Sequence, residues 1–265
     1  MLKKFGTRIL PFLAATAFAA EPHPIVEIDT GFLVGGSGRG KWISAEAAKR
    51  AIKGGEQYQI YSLTERLGTV TGGKPESAGE PCVEVQVIPF KTKPVKGVLA
   101  IAGQWNALSR IPKAESTTQP AYLKAVREFL VAKGIRNPKV KITQILRIDL
   151  EGDGEDEVLL SGTNYFNKED DGVPSSAPQG SYSFVILRRV VEGKVRTQLV
   201  AGDFYPKAKV FNAPATYKVA AVLDVDGDGP MEVVVDGGYY EDGWTTIFRC
   251  TSKKIEQVLE VGCDA

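Results

Sequence analysis

Two nonapeptide segments carry acidic side chains at alternate positions and could therefore bind a hard metal ion. One runs from Asp224 to Glu232, and the other runs from Asp149 to Glu157, 75 residues earlier in the chain. Calcium takes about 6–8 oxygen ligands and tolerates irregular geometry, which suits carboxylates at positions 1, 3, 5 and 9 of a short loop. Glycines at positions 4 and 6 permit the positive φ angles that a loop wrapped around an ion needs. Each segment therefore predicts a calcium loop.

The two loops place their predicted ligands at the same positions. Four ligands are side chains, and the fifth is the backbone carbonyl oxygen of position 7. In the later loop the predicted ligands are Asp224, Asp226, Asp228, Pro230 and Glu232. In the earlier loop they are Asp149, Glu151, Asp153, Glu155 and Glu157. The longer arm of Glu151 fits a tight coordination sphere less well than an aspartate does, so we expect the later loop to bind more tightly.

The residues that follow each loop distinguish β-hairpins from EF-hands. An EF-hand needs a glutamate at position 12 and a following helix, whereas position 12 is Val235 in one loop and Leu160 in the other. Aliphatic and β-branched runs flank both loops, so the loops are expected to join β-strands. The alternative is an acidic Asp-Gly turn without a metal, since both residue types favour turns. Two copies in matching contexts favour the metal, although less for the earlier loop.

The loops belong to a longer internal repeat. Residues 142–165 align with residues 217–240 without a gap. Apolar patterns predict two more strands after each loop hairpin, at 182–188 and 194–200 in the first copy and at 245–251 and 255–261 in the second. Four short antiparallel strands in each copy are typical of a β-propeller blade. We therefore predict two blade-like repeats, at 141–204 and 205–265.

Residues 20–140 predict a third, degenerate β unit that lacks an acidic loop. Strand patterns occur at 83–87 and 98–102, and two helices are expected, from Ala45 to Lys53 and from Ala121 to Lys133, as packing elements over a sheet. The predicted fold is therefore mainly β, with antiparallel four-stranded blade-like repeats in a propeller or an incomplete propeller and one or two short packing helices. From residue 20 onwards, the chain is expected to form one compact domain.

The later loop and the strand after it resemble a known repeat. The hexapeptide from Asp224 to Gly229, the closing Glu232 and the run from Val233 to Gly237 are similar to the calcium loop of FG-GAP and VCBS-type propeller repeats. The resemblance covers residues 141–262 and implies calcium ligands at the positions given above for both loops. Propellers of this family carry more blades than the roughly three or four for which this chain has room. An open array of sheets or a sandwich-like packing of the blades is therefore the alternative to a closed ring.

Residues 1–19 predict a secretory signal peptide, with a basic start, a short apolar run and a small-x-small site before Ala20. The apolar run is too short to span a bilayer, and no later run is long enough. The chain carries 33 basic and 32 acidic residues, so neither a nucleic acid nor an anionic membrane is expected as a partner. We therefore expect a periplasmic or extracellular protein, in surroundings where even weak calcium sites fill.

Three cysteines in an exported protein predict one disulfide and one free thiol. A final hairpin that turns near residue 253 would hold Cys250 and Cys263 roughly 20 Å apart, whereas a disulfide needs Cα atoms within ~7 Å. Cys82 opens an early strand and Cys263 ends the last one. We therefore predict a Cys82–Cys263 disulfide and a buried, reduced Cys250.

Two functions fit these features. The only histidine, His23, lies between two prolines in a terminus that we expect to be frayed, so a histidine-dependent nucleophile or zinc site is not expected. The first hypothesis is a non-catalytic, calcium-binding repeat protein that binds an extracytoplasmic protein or a carbohydrate. The alternative is a secreted, glycosidase-like hydrolase with structural calcium. Its carboxylates would come from the acidic, aromatic segments 165–171 and 239–244, which follow the two loop hairpins.

Overall fold

The computed structural model describes residues 22–38, 40–92, 94, 96–164, 174–208 and 212–263. These residues form mainly antiparallel β-sheets, as the alternating apolar patterns predict. The predicted leader 1–19 and the acidic segment 165–171 lie outside the described residues. No helix in the described ranges is both long and apolar enough to cross a membrane.

The described residues contain short strands and two helices in the N-terminal half, and longer strands in the two repeats. The N-terminal elements are β1 (His23–Glu27), β2 (Leu33–Gly38), β3 (Lys41–Ser44), α1 (Ala45–Lys49), β4 (Gln57–Tyr61), β5 (Arg66–Thr71), β6 (Glu76–Ser77), β7 (Gln86–Val87), β8 (Leu99–Ile101), β9 (Lys113–Ala114) and α2 (Pro120–Ala132). The strands of the repeats are β10 (Ile142–Ile148), β11 (Glu157–Thr163), β12 (Ser181–Val191), β13 (Lys194–Tyr205), β14 (Thr216–Leu223), β15 (Glu232–Gly238), β16 (Gly243–Cys250) and β17 (Ile255–Gly262).

Three larger antiparallel sheets contain these strands, except that β6 and β7 form a small sheet of their own. The N-terminal sheet has the order β3-β2-β1-β8-β4-β5, the first-repeat sheet β13-β12-β11-β10-β9, and the second-repeat sheet β14-β15-β16-β17. The two further strands that were predicted after each loop hairpin are confirmed. Strand β9 extends the first-repeat sheet from the N-terminal half, which the repeat pattern did not predict.

The predicted strand at 83–87 is mostly wrong, because only Gln86–Val87 is extended and paired. The backbone N–H of Val85 donates to the carbonyl oxygen of Cys82 at 3.0 Å, so the chain turns where the alternation predicts a strand. The side chain of Val83 is half exposed in this turn. An alternating pattern forms a strand only where a neighbouring strand can pair with it.

The second-repeat sheet is buried on both faces. Val233 and Val235 pack against the first-repeat sheet, in one cluster with Leu159. Val234 lies between them in sequence and packs in a different cluster with Ile101 of the N-terminal sheet. Successive side chains of a strand point to opposite faces, so the sheet is sandwiched between the other two. This position explains why β14 and β15 carry unbroken apolar runs rather than an alternation of apolar and polar residues.

The two helices cover the outer faces of the stack. Val126 and Leu130 of α2 are fully buried in a cluster with Phe184 on the outer face of the first-repeat sheet. Ala48 of α1 packs in a cluster on the outer face of the N-terminal sheet. The expected packing role of both helices is confirmed. Helix α1 ends earlier than the predicted Lys53, because the N–H of Ala51 donates to the carbonyl of Ala48 and closes a tighter turn.

The order of the sheets in space differs from their order in the chain. The second repeat comes last in the sequence but lies in the middle, between the N-terminal sheet and the first-repeat sheet. Neither a closed barrel nor a closed propeller is formed by the described residues. The architecture that the structure supports is therefore a stack of three antiparallel sheets with a helix on each outer side.

The predicted disulfide between Cys82 and Cys263 is confirmed. Their Cα atoms lie 5.7 Å apart, and the bond links residues separated by 181 positions. Cys250 is a free thiol that is 3% exposed. The disulfide joins the segment before β7 to the end of β17, so it fastens the N-terminal unit to the middle sheet.

Loss of this disulfide should lower the free energy of unfolding by about 2–5 kcal/mol, because the bond closes a long loop and restricts the unfolded chain. Thermal and urea unfolding of a Cys82→Ser, Cys263→Ser double variant would measure the loss.

In the native protein, Cys250 should resist thiol reagents until unfolding, because burial raises the pKa of its thiol to about 12. A Cys250–Cys263 peptide in a non-reducing digest would contradict the pairing.

Candidate metal centre

Both acidic loops close β-hairpins, as predicted. The Asp224 loop joins β14 to β15, where Leu223 pairs with Glu232, and the Asp149 loop joins β10 to β11 in the corresponding register. The glycines at positions 4 and 6 have φ angles of 75° and 106° in the later loop and 77° and 91° in the earlier one. Since these backbone angles match, the differences between the loops come from their side chains and surroundings.

Three of the predicted ligands converge in the Asp224 loop. Asp224, Asp226 and Glu232 are 7%, 5% and 0% exposed, and one carboxylate oxygen of each lies within 4.8 Å of the other two. The N–H of Gly229 donates to Oδ2 of Asp224 at 3.2 Å, and the N–H of Val225 donates to Oε2 of Glu232 at 2.9 Å. Oδ1 of Asp224 and Oε1 of Glu232 are buried and find no hydrogen-bond donor among the described residues. A cation would satisfy both orphaned oxygens, so the donor set fits a metal.

The surroundings oppose ionisation of all three carboxyl groups. Desolvation raises the pKa of Glu232 to about 9, and the charge of Asp226 adds to this effect. Desolvation and the neighbouring charge of Asp228 raise the pKa of Asp226 to about 6. Desolvation also raises the pKa of Asp224 above its ordinary value. Buried, like-charged carboxylates need either protons or a cation, and a divalent ion bound at their convergence would supply the charge.

Two predicted ligands of the later loop lie outside this triad. Asp228 is partly exposed, and its Oδ2 forms an ion pair with Nη2 of Arg249. Pro230 is half-buried and follows Gly229. Nη1 of Arg249 also lies 3.3 Å from Oδ2 of Asp226, so this guanidinium neutralises two predicted ligands at once. Arg249 was not predicted from the acidic loop pattern, because it lies on β16 and not in the loop.

The first repeat carries an arginine at the corresponding place. Val158 pairs with Arg188 in the first repeat, and Val233 pairs with Phe248 in the second, so Arg189 corresponds to Arg249. Nη1 of Arg189 lies 3.8 Å from a carboxylate oxygen of Glu151, the residue at position 3 of its own loop. A basic residue opposite the closing glutamate in each repeat is the sequence signal that would have identified both arginines.

The Asp149 loop neutralises its first carboxylate with its own backbone. Oδ1 of Asp149 accepts the N–H groups of Gly152 at 2.6 Å and Asp153 at 3.1 Å, and Oδ2 accepts the N–H of Gly154 at 2.9 Å. Desolvation acts to raise the pKa of Asp149, but these three amides and the charge of Arg110 together outweigh it and lower the pKa below its ordinary value. The equivalent aspartates of the two loops are therefore shifted in opposite directions.

The other predicted ligands of this loop do not form a second triad. A carboxylate oxygen of Glu151 accepts the N–H of Ser252 at 2.7 Å, so this side chain reaches the β16–β17 turn of the other repeat. Glu157 is buried and accepts the N–H of Leu150 at 2.8 Å, as Glu232 does in its own loop. Asp153 and Glu155 are exposed. Among the described residues, only the Asp224 loop brings three acidic ligand atoms within 4.8 Å, and metal binding by the Asp149 loop stays a prediction.

A segment of the N-terminal half braces both loops. The Arg110 guanidinium donates to the carbonyl oxygen of Asp149 at 2.6 Å and to that of Gly229 at 2.8 Å. Nε1 of Trp105 donates to the carbonyl oxygen of Asp224 at 2.7 Å. The ring of Trp105 lies against Gly227, and a Cβ atom at position 227 would be only 2.9 Å from this ring. The two loops are thus held together by side chains far away in the sequence.

The acidic, aromatic segment 239–244 lies beside a depression of about 260 Å³. Desolvation raises the pKa of Asp236 in this depression. Its carboxylate is already paired with Nζ of Lys218 at 3.3 Å and is a third exposed. A general acid of a glycosidase needs a raised pKa and a second carboxylate across the substrate. The paired, open position of Asp236 gives no specific support to that chemistry.

His23 is not frayed, contrary to the expectation from its flanking prolines. It opens β1, and its Nδ1 lies 3.0 Å from the carbonyl oxygen of Ala102. Its ring packs edge-on against Trp105 at 5.0 Å between centroids. Pairing with β2 and β8 orders this strand, so the prolines do not prevent a regular structure there. The contacts of His23 are structural.

In a chelator, the free energy of unfolding should fall as the pH rises. Burial raises the pKa values of Asp226 and Glu232 to about 6 and about 9, so the folded state binds more protons than the unfolded state. The stabilisation is complete below the ordinary pKa values of roughly 4 and is lost as the pH rises through about 6 and about 9. Urea unfolding at several pH values measures this slope.

The isosteric Glu232→Gln variant should reduce the fall in the free energy of unfolding at the higher pH values, where Glu232 ionises. Glu46→Gln, on the exposed face of α1, is the matched control. Millimolar calcium should remove the decline in the wild-type protein, because the ion replaces the protons. A slope that is the same in Glu232→Gln and in the wild type would show that other groups cause it.

Arg249→Met should raise the affinity for a divalent metal by about tenfold, because its guanidinium competes for Asp226 and Asp228. The same substitution should destabilise the metal-free protein, since the two carboxylates lose their neutralising partner. Calorimetric titration and melting in chelator measure these opposite effects. Arg50→Met, which removes an exposed ion pair of similar type on α1, is the control. An unchanged metal affinity would contradict competition by Arg249.

No protein-family model matches the chain, and no match is found among curated proteins or among solved structures. The site is therefore characterised by its own residues and geometry: a buried triad with two orphaned oxygens, bordered by one arginine.

Proposed function

We propose that the Asp224 loop is a calcium site that stabilises an exported, non-catalytic binding protein. The observation that carries this proposal is the convergence of Asp224, Asp226 and Glu232, with one buried and unpartnered oxygen on each of two side chains. Buried carboxylate oxygens without donors are costly unless a cation neutralises them. A metal bound only by the folded state would convert that cost into stabilisation.

Calcium fits the donor set better than other metals. The converging ligands are carboxylate oxygens, with no cysteine or histidine among them, and hard oxygen donors favour calcium, magnesium or manganese over zinc and copper. Asp228 and the carbonyl of Pro230 supply further oxygens if the ion displaces Arg249 from Asp228. Magnesium requires a smaller, more regular octahedron and retains its waters, so an irregular loop selects the larger ion.

The four strands that each repeat contributes, β10–β13 and β14–β17, are proposed to be blades of an incomplete, propeller-like array. Their matching loop registers and their face-to-face packing support this interpretation. Export to the periplasm or the extracellular space is proposed from the disulfide between Cys82 and Cys263, since such bonds persist in oxidising compartments. Calcium at about millimolar concentration there would fill even a weak site.

Calcium should raise the melting temperature of the wild-type protein. A site in hundredfold excess of calcium over its Kd gains about 2.7 kcal/mol of stability. Melting in chelator, in millimolar calcium and in millimolar magnesium measures this gain, and magnesium should act weakly. Identical melting temperatures in chelator and calcium, with no metal in the purified protein, would contradict the proposal.

The matched variants Asp224→Asn and Asp149→Asn rank the two loops. Asp224→Asn should abolish the tighter calcium event in a calorimetric titration, because it removes a carboxylate charge from the triad. Asp149→Asn should leave that event intact, since the backbone amides of its own loop occupy this side chain. If Asp149→Asn removes the tighter event and Asp224→Asn does not, the assignment of the site is wrong.

A further inference from the structure

A cleft of about 780 Å³ lies next to the depression beside segment 239–244, and Trp244 and Val261 line both. The walls of the cleft come from all three sheets and from residues 84–86, which lead into β7, with Leu33, Gln86, Gly202 and Trp244 among the lining residues. A cleft formed where several structural units meet is a usual place for a ligand.

Two free sheet edges line this cleft. Residues 200–202 belong to β13, the last strand of the first-repeat sheet, and Gln257, Glu260, Val261 and Gly262 belong to β17, the last strand of the second-repeat sheet. Neither strand pairs with a further strand among the described residues. An edge strand presents unpaired N–H and C=O groups, which an extended peptide can use by adding as another strand.

The cleft is acidic without compensating charge. Glu84 and Glu260 line it, and no lysine, arginine or histidine is among its lining residues. The lining of the neighbouring smaller depression also lacks basic residues, and its acidic residues are Glu27, Asp29, Asp242 and Asp236, of which Asp236 is paired with Lys218 from outside the lining. The whole chain is nearly neutral, with 33 basic and 32 acidic residues, so this surface segregates negative charge. Such a surface attracts cations and repels anionic ligands.

Aromatic side chains form an apolar part of the wall. Trp244, Tyr217 and Phe248 line the cleft, and the rings of Tyr217 and Trp244 lie edge-to-face at 6.1 Å. The Trp244 ring rests on the backbone of Gly237, where a Cβ would overlap it, so the ring is fixed against β15. Fixed aromatic faces beside carboxylates accept the alkyl stems and the cationic heads of lysine and arginine side chains.

We propose that this cleft binds an extended, basic peptide segment of a partner protein by strand addition to β13 or β17. The free edges supply backbone hydrogen bonds, the aromatic wall takes the apolar side chains, and Glu84 and Glu260 pair with the basic ones. The inference deepens the proposed role as a binding protein, because it names the site and the chemistry of the partner. It does not depend on the metal centre, which is formed by other residues.

Calorimetric titration of the full chain with four probes, three peptides and one polyamine, tests the proposal. The probes are capped Lys-Val-Lys-Val-Lys, its Glu-Val-Glu-Val-Glu counterpart, a version of the first with N-methylated valines, and free spermidine as a cation without a backbone. The lysine peptide should bind at least about tenfold more tightly than each of the other three, because it alone combines charge with strand hydrogen bonds.

Protein variants locate the contact. Glu84→Gln combined with Glu260→Gln should weaken the lysine peptide by about tenfold, whereas Glu128→Gln, on the exposed side of α2, should leave it unchanged. Equal binding of the lysine and glutamate peptides, or no binding of either at millimolar concentration, overturns the proposal. Equal binding of spermidine or of the N-methylated peptide overturns strand addition, and binding of cellohexaose alone would assign the cleft to a carbohydrate.

The two proposals fail separately. The peptide titrations are run both in calcium and in chelator, and the calcium titration is repeated on the Glu84→Gln, Glu260→Gln variant. An intact calcium event without peptide binding overturns only the peptide proposal, whereas peptide binding without a calcium event overturns only the metal proposal.

Discussion

The burial of both faces of the second-repeat sheet is the constraint on which the rest of the structure depends. A loop at the end of that sheet is covered by the N-terminal half of the chain: Ser37 donates to the carbonyl oxygen of Val225 at 3.2 Å, and Trp105 packs over Gly227. The same acidic pattern in the first repeat lies at the end of an outer sheet, where the closing Glu157 is the only buried carboxylate among its five predicted ligands. Position in the stack, rather than loop sequence, therefore decides which carboxylates are desolvated.

The two repeats use different means to neutralise equivalent carboxylates. Asp149 is neutralised by its own backbone amides, and Asp228 by the guanidinium of Arg249. Asp224 and Glu232 each keep one oxygen without a donor inside the protein. Backbone amides and arginines stabilise a negative charge permanently, whereas protons and metal ions exchange with the solvent. In the second repeat, protons or metal ions from the solution therefore neutralise part of the carboxylate charge. In the first repeat this part of the charge is smaller.

Local features of this protein could be predicted from the sequence, and features that depend on packing could not. The loops, their glycines and the strands after them follow from residue types and period-two patterns, and the Cys82–Cys263 pairing follows from strand lengths. The diversion of Glu151 to Ser252 and the contacts of Arg249 depend on which sheets are adjacent. The sequence indicates the order of the sheets only indirectly. The unbroken apolar runs of β14 and β15 indicate that both faces of these strands are buried, but they do not indicate which sheets cover those faces.

The placement of the last repeat in the middle of the stack has a consequence for how the chain is made. A ribosome releases the N-terminal sheet and the first-repeat sheet before the sheet that separates them. Each of these outer sheets has one face that only the second repeat can cover, through residues such as Leu159 and Ile101. Those faces stay open to water, or to each other, until residues 216–262 have emerged. The second-repeat sheet is therefore inserted between the other two sheets as the last step of folding. Until residues 216–262 are available, the two outer sheets must not associate with each other through their open faces.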